Sequence, residues 1–407
     1  MTVEEVRSRF PILSQKVYGK DLVYFDNAAT MQRPVEVVKK WEESCYLTNA
    51  NIHRAVHHLA DLATADFESA REAVQKFIHA SRREEIIFTA GATASINLVA
   101  FSFGEAFVQE GDEIIVTEAE HHSNILPWQL MCQRKKAHLL VWKVDDLGRL
   151  DLADLEKLIS SRTRLLAMTH VSNVLGLVND IEGAARIAHS HGVKILVDGA
   201  QGIVHQSVDV QKSDIDFYAF SGHKIYAATG VGVLYGKKEI LDQMPPYMGG
   251  GEMIGTVKFS GSTFAEVPYK FEAGTQNLAG VPTLKPALDL ALALREPEIT
   301  SYHEEVKKYL YDALMADSRI RMIGVPEKLE DKIGLFSFVV EGAHHEDLAL
   351  ILDKMGIAVR SGQVCAEPLM DRMGVTGILR ASLAMYNTME EAEYFIKSLN
   401  RAIDMLV

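Results

Sequence analysis

The chain has 407 residues, 48% hydrophobic and 24% charged, a length that outgrows one small core and suits a large domain joined to a smaller one. Lys and Arg number 42 against 55 Asp and Glu, and the net charge of −13 argues against nucleic acid or another polyanion as partner. No apolar run reaches the roughly 18 residues of a membrane span, and the start Met-Thr-Val-Glu-Glu-Val-Arg lacks a basic-then-apolar leader, so the expectation is a cytoplasmic protein with no membrane partner.

Residues 3–10 read as a short amphipathic helix, expected to pack on the second domain. Val23 to Thr30 reads as a short strand opening into small residues, Asn27-Ala28-Ala29, which let a ligand approach the backbone. A helix follows over Pro34–Thr48, where Cys45 lies four positions after Trp41 and reads as a small core residue. His53-Arg54 and His57-His58 fall in a polar loop, with surface and functional readings evenly weighted. A helix over Ala63–His79 leads to the strand Glu85–Thr89. Gly91 and Thr93 then open a helical pattern, which places a hydroxyl and free N–H groups where an anion binds. A plain N-cap threonine uses the same geometry.

The strand Glu113–Thr117 ends in Glu118-Ala-Glu-His-His-Ser-Asn124. An imidazole just past a strand end suits stacking on a planar ring. Adjacent residues of an extended chain point to opposite faces, so one metal ion does not take both His121 and His122. Cys132 falls in the helical run Pro127–Arg134 and reads as core. The three cysteines cannot all pair and none has zinc-ligand spacing, so no metal site is expected and the compartment reads as reducing.

Leu139–Trp142, a helix over Leu152–Ile159, a strand from Leu165 that ends near Asn173, a helix over Ile181–His191 and the strand Lys194–Asp198 continue an α/β alternation, which predicts a parallel sheet. Asp198 closes its strand where open α/β sheets bind ligands. Next, Phe217–Phe220 and Val231–Tyr235 flank Ser221, His223 and Lys224. A lysine between buried strands costs several kcal/mol (order of magnitude) to desolvate unless it is neutralised, and condensation of its amine with an aldehyde does that. Ser221 and His223 offer donors to a phosphate ester. Asp198 is placed to pair with a pyridine nitrogen and Lys224 with the aldehyde of the same ring.

Val257–Tyr269 alternates like a hairpin. From Thr283 the pattern turns helical, and 297–407 reads as α+β: a helix over Ile299–Leu314, a strand over Leu335–Val340 and a helix over Glu346–Met355. Cys365 lies in a loop between Gly362 and Pro368, where a nucleophilic thiolate and a buried small hydrophobe are equally good readings. Arg380 begins a strand-like run; its fork suits a substrate carboxylate, and an ion pair with a helix acid is the alternative.

Asp198-Gly-Ala-Gln201 followed by Ser221-Gly-His-Lys224 resembles the pyridoxal phosphate site of the fold-type I, class V aminotransferase superfamily. From about Phe10 to its end the chain resembles the group II cysteine desulfurases (SufS type, overlapping with selenocysteine lyases), with several motifs in family order. The resemblance implies an α/β fold: a large domain with a mostly parallel central sheet over 20–285, and a smaller α+β domain built from 1–19 and 286–407. It implies pyridoxal 5'-phosphate as cofactor, held by Thr93, His121, Asp198, Gln201, Ser221, His223 and Lys224, with Thr275 reaching the phosphate of the other protomer in a homodimer. Catalysis falls to Lys224, Cys365 and His121, and substrate binding to Ala28, Asn173, Arg360 and Arg380. The implied reaction converts L-cysteine to L-alanine through a persulfide on Cys365, passed to a small sulfur-acceptor protein for iron–sulfur cluster assembly. A selenocysteine lyase shares almost every residue; an aminotransferase or other lyase of this fold does not need Cys365, and a non-catalytic sulfur scaffold does not need the cofactor. Two departures stand out. Ala94 replaces a usual glutamate, and Gln363-Val364 replaces the usual His-His before the cysteine.

Overall fold

A computed structural model describes residues 1–407. The α/β alternation becomes a seven-stranded sheet in the spatial order Ile86–Thr89, Gly232–Gly236, Phe217–Ser221, Lys194–Asp198, Thr163–Thr169, Glu113–Thr117, His138–Trp142. The last five strands of that order pair parallel, and Gly232–Gly236 runs antiparallel to both of its neighbours. Successive side chains point to opposite faces of a strand, so Ile195, Val197, Tyr218 and Phe220 enter one apolar core while Leu196, Phe217 and Ala219 enter the other. Helices cover both faces, and each fully buried Val, Leu, Ile or Phe contributes about 1.5–3 kcal/mol. Because the parallel strands share a direction, Thr117, Thr169, Asp198 and Ser221 all end at one edge of the sheet. That edge is where a doubly wound sheet binds its ligand.

The second sheet is antiparallel, in the order Ile320–Ile323, Leu335–Val340, Ile378–Ser382, Arg360–Gly362. Its core includes Phe336, Phe338, Leu379, Phe395 and Leu399.

Several boundaries differ from the sequence reading. Helix His58–Phe77 starts five residues before Ala63, because His57 caps it by accepting the N–H of Ala60 at Nδ1 (3.3 Å). Cys45 is exposed rather than core: helix Val35–Tyr46 turns Val37 and Ser44 inward, and Cys45 is one step off that stripe. Cys132 is buried as expected. Arg380 sits mid-strand, not at the start.

The first 25 residues contribute to both cores. Val6, Phe10 and Leu13 enter the large-domain core, with the Phe10 ring 5.8 Å from Tyr226 and 4.6 Å from Tyr386. Val23 and Phe25 belong to the small-domain core, since Val23–Tyr24 pairs parallel with Ile357–Ala358. The amphipathic helix still touches the second domain through Arg7, which pairs with Glu391 (2.6 Å) and donates to the carbonyl of Tyr386 (3.0 Å). No helix is long and apolar enough to cross a membrane.

Candidate active site

A cavity of about 340 Å³ lies at the carboxyl edge of the large sheet, where the small domain closes over it. Its wall holds Ala28, Thr93, His121, Asn173, Asp198, Gln201, Ser221, His223, Lys224, Arg360, Cys365 and Arg380. The sequence reading named each of these. Thr275, which it also named, stands on an exposed bend outside this cavity.

One end of the cavity is built from helix Ala92–Phe107. Its first N–H, on Ala92, donates to Ser221 Oγ (2.8 Å), and Thr93 Oγ1 lies 2.7 Å from Ser123 Oγ. Strand Gly232–Gly236 passes directly behind: a Cβ on Gly232 would come within 2.3 Å of Gly91 Cα. Only glycine allows that approach, and it leaves hydroxyls and a helix N-terminus facing a small polar space. His223 flanks it, with Nδ1 3.2 Å from Thr30 Oγ1; burial, with the charges of Lys224 and Arg33, lowers its pKa to about 4.

Lys224 follows strand Phe217–Ser221 in a single tight turn. Burial lowers its pKa to about 8, opposed by Asp198 and aided by Arg380, so near neutral pH part of the amine is the nucleophilic free base. Asp198 is 4% exposed and accepts the N–H of Ala200 (2.9 Å). Burial raises its pKa, while that backbone bond and the charge of Lys224 oppose the rise. A buried carboxylate of this kind calls for a cationic N–H partner. Gln201 donates to the carbonyl of Ala28 (2.7 Å), which fixes the small-residue loop against the cavity.

His121 is half-buried, and burial followed by the charges of Lys224, His122 and Arg380 lowers its pKa to about 4. Its Nδ1 accepts the N–H of Ser123 (3.1 Å), so the ring is neutral and orientationally fixed. Behind it Glu120, fully buried, takes donors from Thr117, Asn124 (2.7 Å) and the Thr169 N–H (2.7 Å).

The small domain supplies the other wall. Arg380 is 3% exposed, donates from Nη1 to the carbonyl of Asn173 (2.8 Å) and lies 3.4 Å from Asp26 Oδ1. Its buried Nε has no partner, which leaves one face of the fork open for an incoming acceptor. Arg360 is about half exposed and pairs with Asp26 Oδ2 at 2.7 Å. Cys365 is exposed on a turn in which Val364 (φ 46°) and Cys365 (φ 57°) are both left-handed. Such residues cost about 1–3 kcal/mol each and persist where surrounding contacts hold them. Asn173 Nδ2 donates to the carbonyl of Val364 (2.8 Å), and the N–H of His122 to that of Cys365 (2.8 Å).

The residues present fit pyridoxal phosphate. A poised amine, a buried carboxylate, a neutral imidazole and a helix-end cradle for an anion occur in one cavity, and the sequence offers them in that sense. Asp26 and Ser123 belong to the site and escape sequence reasoning. No group of three or more His, Cys, Asp or Glu is placed to hold a metal ion.

Residues 23–395 match the family model described as aminotransferase class-V. The chain is 43% identical over 406 residues to a probable cysteine desulfurase of Vibrio cholerae, covering 100% of both, and 44% identical over 401 residues to a cysteine desulfurase of Escherichia coli O127:H6, covering 98% of both. Among solved structures, the cysteine desulfurase CsdA of Escherichia coli superposes with a TM-score of 0.91 at 40% identity, covering 100% of both chains. The apo cysteine desulfurase of Thermococcus onnurineus superposes with 0.93 at 38%, covering 99% of this chain and 98% of that one.

Proposed function

The chain belongs to the aminotransferase class-V family, and we infer that it is a pyridoxal-phosphate-dependent cysteine desulfurase that converts L-cysteine to L-alanine. One observation carries the reading best: Lys224, Cys365 and the open face of the Arg380 fork line one cavity. An aminotransferase has no use for the thiol there.

When bound, pyridoxal phosphate supplies an electrophilic aldehyde and a ring that withdraws electrons from the substrate carbon. Thr93, Ser221 and His223 would hold the phosphate, with His121 against the ring. Asp198 holds a proton on the pyridine nitrogen. Arg380, oriented by the Asn173 carbonyl, grips the substrate carboxylate through Nε and Nη2, with Arg360 at the cavity mouth. Lys224 removes the proton from Cα. The Cys365 thiolate then attacks the substrate sulfur: an S–S bond forms, the C–S bond breaks, and its electron pair stays with Cβ, which takes up a proton, the Cys365 thiol proton given up to solvent balancing the count, while Lys224 returns to Cα the proton it removed. Alanine leaves and Cys365 keeps the sulfur as a persulfide until a thiol acceptor takes it.

A small sulfur-acceptor protein is the partner this chemistry calls for, in service of iron–sulfur cluster assembly in the cytoplasm. A homodimer accounts for the exposed Tyr46, Leu47, Val56 and Phe259, the last at the tip of the hairpin Ile254–Lys258 and Gly261–Phe264 that resembles the group II extension. Thr275, exposed and outside the wall of its own cavity, reaches the phosphate of the other protomer in that arrangement. Sedimentation of the unaltered chain and of a Val56→Asp, Phe259→Asp double variant tests it; a monomeric unaltered chain refutes it.

The function itself is tested by incubating the chain with pyridoxal phosphate, L-cysteine and a reductant. Alanine and sulfide in equal amounts are expected, and alanine without sulfide refutes the reading. L-Selenocysteine assayed in parallel separates the lyase alternative.

A further inference from the structure

We propose that His122 is a positioning residue for Cys365, latching the thiol-bearing turn to the large domain while its neighbour His121 faces the cofactor side. The two imidazoles diverge, with centroids 6.2 Å apart. The His122 ring does not line the cavity; it crosses to the small domain, where Nε2 accepts the N–H of Glu367 (3.1 Å). The backbone N–H of His122 donates to the carbonyl of Cys365 (2.8 Å). One residue of the large domain therefore holds the chain on both sides of Ala366, and the acceptor role fixes the imidazole proton on Nδ1.

The turn needs such a hold. Val364 and Cys365 are consecutive left-handed residues, and a β-branched side chain is a poor occupant of that region. Without tethers the turn relaxes and the thiol leaves its place beside Arg380 and Lys224. Asn173 supplies one tether, to the Val364 carbonyl, but it is also committed to Arg380. His122 is the tether that contacts neither cavity nor fork. In a chain whose cysteine follows Gln363-Val364, the order of the turn comes from across the domain seam: from His122, from Asn173, and from Val364 packed against a cluster that includes Ala119, Val174 and Leu175 of the large domain.

The catalytic part of this inference rests on the desulfurase reading; the latch does not, and two measurements keep them apart. In His122→Ala, amide hydrogen exchange is expected to rise over residues 363–368 alone. His122→Gln, whose side-chain carbonyl can accept the Glu367 N–H, is expected to restore protection. With L-cysteine, the Ala variant should keep its KM, since Lys224 and Arg380 are untouched, while sulfur appears on Cys365 about tenfold more slowly, the loss of one hydrogen bond of ordinary strength; Gln should recover most of that rate. Unchanged exchange over 363–368 in His122→Ala, a rise spread over the whole molecule, or a Gln variant that behaves like Ala overturns the proposal. An unaltered chain that shows the latch pattern but never carries sulfur on Cys365 overturns the desulfurase reading instead.

Discussion

The carboxylate of Asp26 stands between two guanidiniums, 2.7 Å from Arg360 Nη2 and 3.4 Å from Arg380 Nη2. The two arginines are not equivalent in their surroundings. Burial pulls the pKa of Arg380 down to about 10, with Asp26 opposing, whereas Arg360 is 47% exposed and screened by water.

Unequal burial predicts unequal effects on substrate binding. Arg380→Lys, which keeps the charge and loses the fork, is expected to raise KM for L-cysteine about 10- to 100-fold, the range for a charged hydrogen bond in a dry site. Arg360→Ala should raise it less than about fivefold. Steady-state kinetics with saturating cofactor decide the order; an equal effect at both positions contradicts the assignment of the fork to Arg380.

The burial of Lys224 carries a stability cost. Its folded pKa of about 8 lies below the usual lysine value of about 10.5, so folding disfavours the charged form. The cost is fully present below pH 8 and vanishes as pH rises through about 10.5. Lys224→Met is therefore expected to melt higher than the unaltered chain when both are free of cofactor at pH 7, with the difference shrinking between pH 8 and 10.5. The same variant should produce no alanine. Normal alanine production excludes the catalytic role.

Asp198→Ala removes the carboxylate proposed to keep the pyridine nitrogen protonated. Turnover should fall by at least about tenfold, the worth of one charge-assisted hydrogen bond, even when the cofactor is saturating. Unchanged turnover at full cofactor occupancy contradicts the pairing.

Cys365→Ser is the variant that separates a desulfurase from other activities of this family. The cofactor's absorbance change on adding L-cysteine should persist, because the groups proposed for binding are Lys224 and Arg380, while sulfur release stops: a hydroxyl is a poor nucleophile toward sulfur and cannot hold a persulfide. Mass spectrometry of the unaltered chain after cysteine treatment should find one added sulfur on the peptide that contains Cys365. Sulfur on Cys45 or Cys132 instead, with alanine accumulating, rejects the mechanism.

What the sequence made legible follows the range of the interactions. Asp198, Ser221 and Lys224 stand out because each closes or follows an apolar strand, a pattern read within a few residues. Asp26 does not, since its partners lie 334 and 354 positions away, across the domain seam. Ser123 meets Thr93 at a separation of 30 through two loops whose approach only the sheet order determines. Cys45 is exposed against the expectation because apolar spacing gives the helix but not its rotation, and Ser44 takes the inward position instead. The N-terminal helix was legible as amphipathic; which core it enters depends on the Tyr226 and Tyr386 rings, and no local pattern points to them.

The close approach of Gly232 to Gly91 has a consequence for how this chain can vary. The spacing between strand Gly232–Gly236 and the first turn of helix Ala92–Phe107 is fixed by two bare Cα atoms, so even one methyl at position 232 must push that helix end away from Ser221. A saturation library at position 232, selected for retention of the cofactor, should return glycine alone, while Ala94, two residues into the same helix, should accept many replacements. The tightest sequence constraint on the anion cradle thus belongs to a residue that never touches the anion.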